Sequence, residues 1–172
     1  SLARRWKEAA DAYSALYAGR AAAAPPASLL RWGTALAKLG RGSEAIEILT
    51  IIVDNDNPTS DDTEFIVEQA SLHLSHLYEE AGELVKAAQA QERYASETSQ
   101  LSDAAHADAW YRAGSLYRRS PELVDDAKRC LGVALNIARD HLPALDALDQ
   151  LAHDQQDHER LAVILGRKIA AM

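Results

Sequence analysis

The chain has 172 residues, of which 48% are hydrophobic, and its formal net charge at pH 7 is −8. The apolar residues are mainly strong helix formers, with 34 Ala and 22 Leu against 8 Ile, 6 Val and 1 Phe, which argues for an all-α fold and against a β-sheet protein. The acidic balance disfavours nucleic acids and anionic membranes as partners, because both attract basic surfaces. No stretch approaches the roughly 18 consecutive apolar residues of a membrane span.

Apolar residues recur at helical spacing along nearly the whole chain, which predicts nine helices. Their predicted bounds are 3–18, 27–39, 43–55, 61–81, 83–99, 103–119, 121–139, 143–155 and 157–171. Each break has a local cause, because Pro cannot lie inside a helix and Gly, Ser and Thr suit helix ends. The breaks are Pro25-Pro26, Gly40-Arg41-Gly42 with Ser43 as cap, the loop 55–60 with Thr59 or Ser60 as cap, Gly82, Ser102, Ser120-Pro121 and Leu142-Pro143.

The helices form pairs, and the pairs share two patterns. The first helices read Leu29-x2-Trp32-Gly33-x2-Leu36, Ser71-x2-Leu74-Ser75-x2-Tyr78, Trp110-x2-Ala113-Gly114-x2-Tyr117 and Leu145-x2-Leu148-Asp149-x2-Ala152. The second helices read Ala9-x3-Tyr13, Ala45-x3-Leu49, Ala87-x3-Gln91, Ala127-x3-Leu131 and Leu161-x3-Leu165. The small residues in these patterns let paired helices approach closely, and the large ones fill the seam between them.

This pattern resembles the tetratricopeptide repeat (TPR), W-x2-L-G-x2-Y followed by A-x3-F. The resemblance implies an all-α superhelix, a solenoid of antiparallel helix pairs that bury their faces by stacking. We expect one domain over 1–172, with a half repeat at 3–18 and repeats at about 27–58, 61–99, 103–141 and 143–171. We also expect Trp32 and Trp110 to be buried at the seams within pairs.

No motif for catalysis, a cofactor or a metal is present. His73 and His76 have the i, i+3 spacing that can chelate a metal, but they lack an HExxH context, and the pattern is more typical of a solvated helix face. The single cysteine, Cys130, excludes an internal disulfide and offers no zinc site. Its presence fits a reducing compartment and favours a cytoplasmic location, although a disulfide-free periplasmic protein would look the same. We therefore predict no enzyme activity, no cofactor and no metal.

The resemblance further implies that a peptide or helix of a partner protein binds the concave face made by the first helices. The side chains expected on that face and assigned to partner binding are Arg31, Lys38, His73, His76, Tyr111, Arg112, Ser115, Arg118 and Arg119. Tyr111 with its three arginines is the densest cluster of residue types that dominate interfaces, and it suits a carboxylate or an acidic segment. The competing interpretation is a solvated basic helix end, where the helix dipole favours cations in any case.

The predicted function is a protein-interaction scaffold. The alternative is a docking or sensing arm of a larger enzyme or transcriptional regulator whose active domain lies outside this chain.

The two ends of the chain predict a segment of a longer array. Residues 6–13 match a second helix without a preceding first helix, and Leu161, Ile164, Leu165 and Ile169 form an apolar stripe near the other end. Terminal repeats normally carry a polar outer face. We expect Ile164 and Ile169 to lack cover, and we expect weak self-association through the exposed ends.

Overall fold

The computed structural model describes residues 2–55, 61–98, 101–154 and 158–171. In these ranges the chain forms helices and no strand. The α-helices are α1 (Leu2–Leu16), α2 (Pro26–Lys38), α3 (Gly42–Asp54), α4 (Asp61–Glu80), α5 (Leu84–Glu97), α6 (Asp103–Tyr117), α7 (Val124–Ile137), α8 (Leu142–Asp154) and α9 (His158–Ala171). Two short 3-10 helices occupy Ala21–Ala23 and Pro121–Leu123. The predicted all-α fold is confirmed.

Several helix ends differ from the sequence-based prediction. Ser102 caps α6 as expected, since its side chain accepts a hydrogen bond from the Ala105 amide at 3.4 Å. The assignment of Ser43 as a cap is wrong, because Arg41 occupies that position and its side chain does not cap the helix. Pro121 opens a 3-10 helix and α7 begins only at Val124, which agrees with the frequency of 3-10 turns at helix starts. The caps predicted at Thr59 or Ser60 lie outside the described residues.

Two glycines make the sharp turns that join α2 to α3 and α4 to α5. Gly40 and Gly82 have φ angles of 73° and 79°, which suit glycine because a Cβ is unfavourable there. The Arg41 amide donates to the Leu36 carbonyl at 3.0 Å, and the Glu83 amide donates to the Tyr78 carbonyl at 2.8 Å. This is the Schellman arrangement, and it satisfies carbonyls that the end of a helix leaves without partners.

The chain divides into two compact units, unit 1 over Ser1–Glu97 and unit 2 over Thr98–Met172. In unit 1, α2 packs most extensively on α3 and α4 on α5, while α3 also packs on α4. In unit 2, α6 packs most extensively on α7 and α8 on α9. The link between α2 and α3 is so short that helices packed along their length must be antiparallel. The predicted helix pairs are present in each unit, and the single domain over 1–172 stays a prediction.

Glycine sets the separation of two of these pairs. A Cβ added at Gly33 would lie 2.6 Å from the Leu49 side chain, and one added at Gly114 would lie 2.8 Å from Leu131 Cγ. These distances are shorter than any normal contact, so each leucine packs directly against the helix backbone at the glycine. The two residues are those that the sequence pattern assigned to close approach, and the prediction is confirmed at both.

The two tryptophans of the pattern differ in burial. Trp32 is 8% exposed, and Tyr17 stacks on it with ring centroids 6.4 Å apart. Trp110 is only half-buried, and its indole Nε1 donates to His106 Nε2 at 3.2 Å one turn earlier. The expectation that Trp110 is buried is therefore wrong. An indole is larger than Leu29 or Leu145, which occupy the same repeat position and are fully buried, and large tryptophans are rarely enclosed completely.

An ion-pair cluster replaces the glycine contact in the α8–α9 pair. Asp149 stands at the glycine position of the pattern, and Lys168 of α9 reaches Asp146 at 2.6 Å and Asp149 at 2.7 Å. Leu165, at the repeat position of the seam leucines Leu49 and Leu131, is 47% exposed, and Ile169 is 76% exposed. The expected exposure of Ile169 is confirmed, whereas Ile164 is buried and the expectation for it was wrong.

The ion pairs of Lys168 should make unit 2 less stable at alkaline pH, where the lysine loses its charge. Hydrogen bonds to Asp146 and then Asp149 raise the pKa of Lys168 above its ordinary value of 10.5. A raised pKa means that the stabilisation is fully present below pH 10.5 and is lost as the pH rises through the folded-state pKa. We expect Lys168→Gln to lower the unfolding free energy at pH 8 by about 0.5–1 kcal/mol, with the difference disappearing at high pH. Urea unfolding followed by circular dichroism between pH 8 and pH ~11.5 measures this difference.

The matched control is Lys7→Gln in α1, since Lys7 is exposed and forms no ion pair with any residue that the structure describes. That variant should match the unsubstituted chain across the whole pH range. A pH-independent loss in the Lys168 variant would show that the lysine contributes through packing of its alkyl chain rather than through its charge.

Candidate interaction surfaces

The predicted partner-binding residues are divided between the two units, on α2 and α4 in unit 1 and on α6 and just beyond its end in unit 2. We call these two groups the α2–α4 face of unit 1 and the α6–α8 face of unit 2. The α2–α4 face comprises Arg31, Lys38, His73 and His76. The α6–α8 face comprises Tyr111, Arg112, Ser115, Arg118 and Arg119, joined by residues at the start of α8.

The α2–α4 face is cationic on its α2 side. Helix α2 has no Asp or Glu anywhere in its sequence, and it contacts α4 directly. Arg31 and Lys38 are exposed on α2, and His76 is exposed on α4. Their exposure places these side chains where an incoming ligand can reach them.

His73 differs from the solvated residue that its spacing suggested, because it is half-buried. Burial lowers the pKa of His73 below its ordinary value, and the neighbouring His76 and Lys38 lower it further. The imidazole of His73 is therefore neutral at pH 7, and Arg31 and Lys38 are the cations that α2 contributes to the face. Within the described ranges no three His, Cys, Asp or Glu side chains are grouped so that they could hold a metal ion.

The α6–α8 face collects its residues at the carboxyl-terminal half of α6. Tyr111, Ser115 and Arg118 follow one another at i, i+4 and i+7, so they lie on the same side of the helix. These three are half-buried, as is Arg112, whereas Arg119 lies beyond the helix end and is exposed. Arg118 forms the C-cap, where the helix dipole favours a cation. Tyr111, Ser115 and Arg118 therefore share one side of α6 and its cap, whereas Arg112 lies on another side and Arg119 follows the helix end.

Sequence analysis gave His141 no role, yet this residue fixes one edge of the α6–α8 face. Its Nε2 lies 2.8 Å from Asp108 Oδ1, and the Ala144 amide donates to its Nδ1 at 3.2 Å. Because Nδ1 accepts a hydrogen bond, the ring proton is on Nε2 and is donated to the Asp108 carboxylate. The imidazole also contacts the Tyr111 ring, with centroids 5.5 Å apart.

These contacts give His141 a positioning role. Its side chain is 8% exposed, and it holds the first turn of α8 against α6 beside Tyr111. Both ring nitrogens are engaged, one with Asp108 and one with the Ala144 amide. The signal in the sequence was its separation of 33 residues from Asp108, close to one repeat length, together with its place just before the helix start at Leu142-Pro143.

Comparison with known proteins identifies the fold. The solved structure of MamA superposes with a TM-score of 0.62 at 19% identity, over 96% of this chain and 88% of MamA. The nearly identical TPR-like repeats of a Podosopora anserina protein assigned to the kinesin light chains superpose with a TM-score of 0.59 at 16% identity, over 99% of this chain and 91% of the other. No protein-family model matches the chain. No curated protein matches it by sequence.

The likeness to these two structures extends over nearly the whole chain in each case. At these identities it establishes the fold, which is an all-α, TPR-like helical repeat. The predicted resemblance to the TPR is thereby confirmed at the level of structure. Among the described residues, no helix combines the length and apolarity needed to cross a membrane.

Proposed function

We propose that the chain is a protein-interaction scaffold that acts by binding and not by catalysis. The α6–α8 face is its principal binding surface, and the ligand is an acidic peptide or helix of a partner protein. The observation that carries this proposal is the arrangement on α6, where Tyr111 is held by His141 and is followed along the same side by Arg118. Tyrosine and arginine are the residue types that contribute most to binding at protein interfaces.

The contact of Tyr111 with the His141 ring favours binding over the simpler interpretation of a solvated helix end. A ring that is already packed against His141 loses little conformational entropy when a ligand covers it. Arg118 forms no ion pair with any residue that the structure describes, so its guanidinium is available to a carboxylate. A dipole effect accounts for the cations but gives no reason for an oriented aromatic ring beside them.

The α2–α4 face has the same role in unit 1 under this proposal. Arg31 and Lys38 supply positive charge on α2, while His73 contributes a neutral hydrogen-bonding group at pH 7. The absence of carboxylates from α2 supports an acidic ligand here too, since like charges across an interface would otherwise oppose binding.

Selection from a random peptide library tests the proposal and requires no identified partner. We expect the selected sequences to be rich in Asp and Glu. For such a peptide, Arg118→Glu combined with Arg119→Glu should weaken binding by about tenfold or more, since hydrogen bonds between charged groups contribute about 1.5–3 kcal/mol. Binding should also weaken as salt rises. Isothermal titration calorimetry measures both effects.

The control is a double charge reversal of equal size in α1, Arg5→Glu combined with Lys7→Glu, at exposed positions. It should leave the affinity unchanged, and both double variants should keep their unfolding free energy within about 0.5 kcal/mol per substitution. Arg112 is left intact because it is half-buried. Equal affinity in the Arg118 and Arg119 variant and the unsubstituted chain would remove the α6–α8 face from the interface.

A further inference from the structure

A recess between the second helices of unit 2 lies outside both interaction surfaces. It has a volume of about 440 Å³ and is lined by Leu135, Asn136, Arg139, Asp140, Arg167, Ala170 and Ala171. We call it the α7–α9 recess. Its volume falls within the roughly 300–1,000 Å³ of pockets that hold small ligands.

The recess exists because α7 and α9 do not pack extensively on each other. Both pack on α8, which lies between them in the chain. The side chains that line it from the end of α9, Ala170 and Ala171, are small and occupy little of the space. Leu135 is a buried residue that contributes an apolar part of the wall.

Neither arginine of this recess has a carboxylate at the helical spacing that pairs other arginines of the chain. Asp140 follows Arg139 and also lines the recess, but the two form no ion pair. Elsewhere, Arg4, Arg41, Arg93 and Arg129 each pair with a carboxylate three or four residues away. No Asp or Glu occupies those spacings around Arg139 or Arg167. Neither guanidinium forms an ion pair with a residue in the described part of the chain. The two exposed cations therefore line one recess, Arg139 from the turn after α7 and Arg167 from α9.

We propose that the α7–α9 recess binds the carboxyl terminus of a partner peptide. The terminal carboxylate lies between Arg139 and Arg167, which suit it because a guanidinium binds a carboxylate through two parallel hydrogen bonds. The last side chain, an apolar one, covers the wall formed by Leu135 and the two alanines. Asp140 accepts a backbone N–H of the peptide.

Asp140 also determines which anionic ligands the recess prefers. With two arginines and one aspartate, the recess has a net charge of about +1 from its lining, which matches a single carboxylate. A run of acidic side chains would place a second negative charge next to Asp140, and like charges at close range oppose binding. The recess thus differs in specificity from the α6–α8 face, for which acidic segments are expected.

The test compares a short peptide, N-acetyl-Ala-Ala-Leu, as the free acid and as the carboxyl-terminal amide. NMR of the full chain with labelled leucine methyl and arginine Nε groups reports on Leu135, Arg139 and Arg167. We expect the acid to shift these signals and to bind about tenfold or more tightly than the amide, because the amide lacks the charged hydrogen bonds. Arg139→Gln and Arg167→Gln should each weaken binding of the free-acid peptide by a similar factor.

Arg118→Gln is the matched control, because it removes an arginine from the α6–α8 face and should leave peptide binding in the recess unchanged. The proposal is overturned if acid and amide bind equally, if neither shifts Leu135, or if acetate alone binds as tightly as the peptide acid. Since the probe and the arginines differ from those used for the α6–α8 face, failure here would not be confused with failure of the proposed scaffold function.

Discussion

Trp32→Ala is expected to lower the free energy of unfolding by about 3–5 kcal/mol, the usual cost of deleting a buried tryptophan side chain. Trp32 belongs to the core of unit 1 and stacks with Tyr17. Its indole Nε1 is buried and has no hydrogen-bond partner among the described residues, so the substitution removes no hydrogen bond. The expected loss comes entirely from lost packing and from the cavity that remains.

Trp110→Ala provides the comparison, since it removes the same side chain from the matching motif of unit 2. Trp110 is half-buried, so less apolar surface returns to water and a smaller cavity forms. We therefore expect a clearly smaller loss, even though the hydrogen bond to His106 is also removed. Urea unfolding followed by circular dichroism measures both. Equal losses in the two variants would contradict the different burial of the two indoles.

Gly114→Val is expected to destabilise unit 2 by about 1–3 kcal/mol or more, because overpacking of a closed seam forces neighbouring groups apart. An added Cβ would lie 2.8 Å from Leu131 Cγ and 3.1 Å from the Ala127 carbonyl oxygen. A leucine side chain can move, but the backbone carbonyl within α7 cannot shift without moving the helix. The separation of α6 and α7 should therefore increase.

Gly132→Ala, in the same helix pair, is expected to have the opposite effect on the free energy of unfolding. Gly132 lies inside α7, and an added Cβ there meets nothing within 4 Å. We expect this variant to raise the unfolding free energy by about 0.5–1 kcal/mol, because glycine in a helix interior is less favourable than alanine by that amount. Thermal unfolding of both variants shows whether each substitution raises or lowers stability. A higher stability of Gly114→Val would show that the α6–α7 seam can accommodate a larger side chain.

The sequence predicted the seam of the helix pairs well because a local spacing determines it. Gly33 and Gly114 recur at the same distance from large apolar residues, and the structure places both against leucines. The helix ends at Gly40 and Gly82 follow from glycine's tolerance of positive φ. Each of these features depends on residues close together in the chain.

The features that sequence analysis missed depend on how distant segments meet. The burial of Trp110 is limited by the space that its surroundings leave for an indole, which its own motif does not specify. Leu165 is exposed in the helix pair that carries the charged contact between Asp149 and Lys168, whose partners lie on different helices. His141 acquired a role only when folding brought Asp108 beside it.

The two candidate binding regions of unit 2 also differ in whether the sequence predicted them. The pattern predicted that Tyr111, Ser115 and Arg118 lie on one side of α6, because their spacing along a single helix determines this. It gave no sign of the α7–α9 recess, since Arg139 and Arg167 belong to different repeats and neither matches a motif position. A recess between helices is a property of their separation, and the spacing of residues along one helix does not reveal it.

The link between α6 and α7 has an evolutionary consequence. In unit 1 the first and second helices are joined by minimal turns built on Gly40 and Gly82, whereas the α6–α7 link adds Arg118, Arg119 and the 3-10 helix Pro121–Leu123. Arg119 is exposed and lies away from the seam of Gly114 and Leu131. Under the proposed function, substitutions in this link would change ligand preference without altering the residues that maintain the α6–α7 seam.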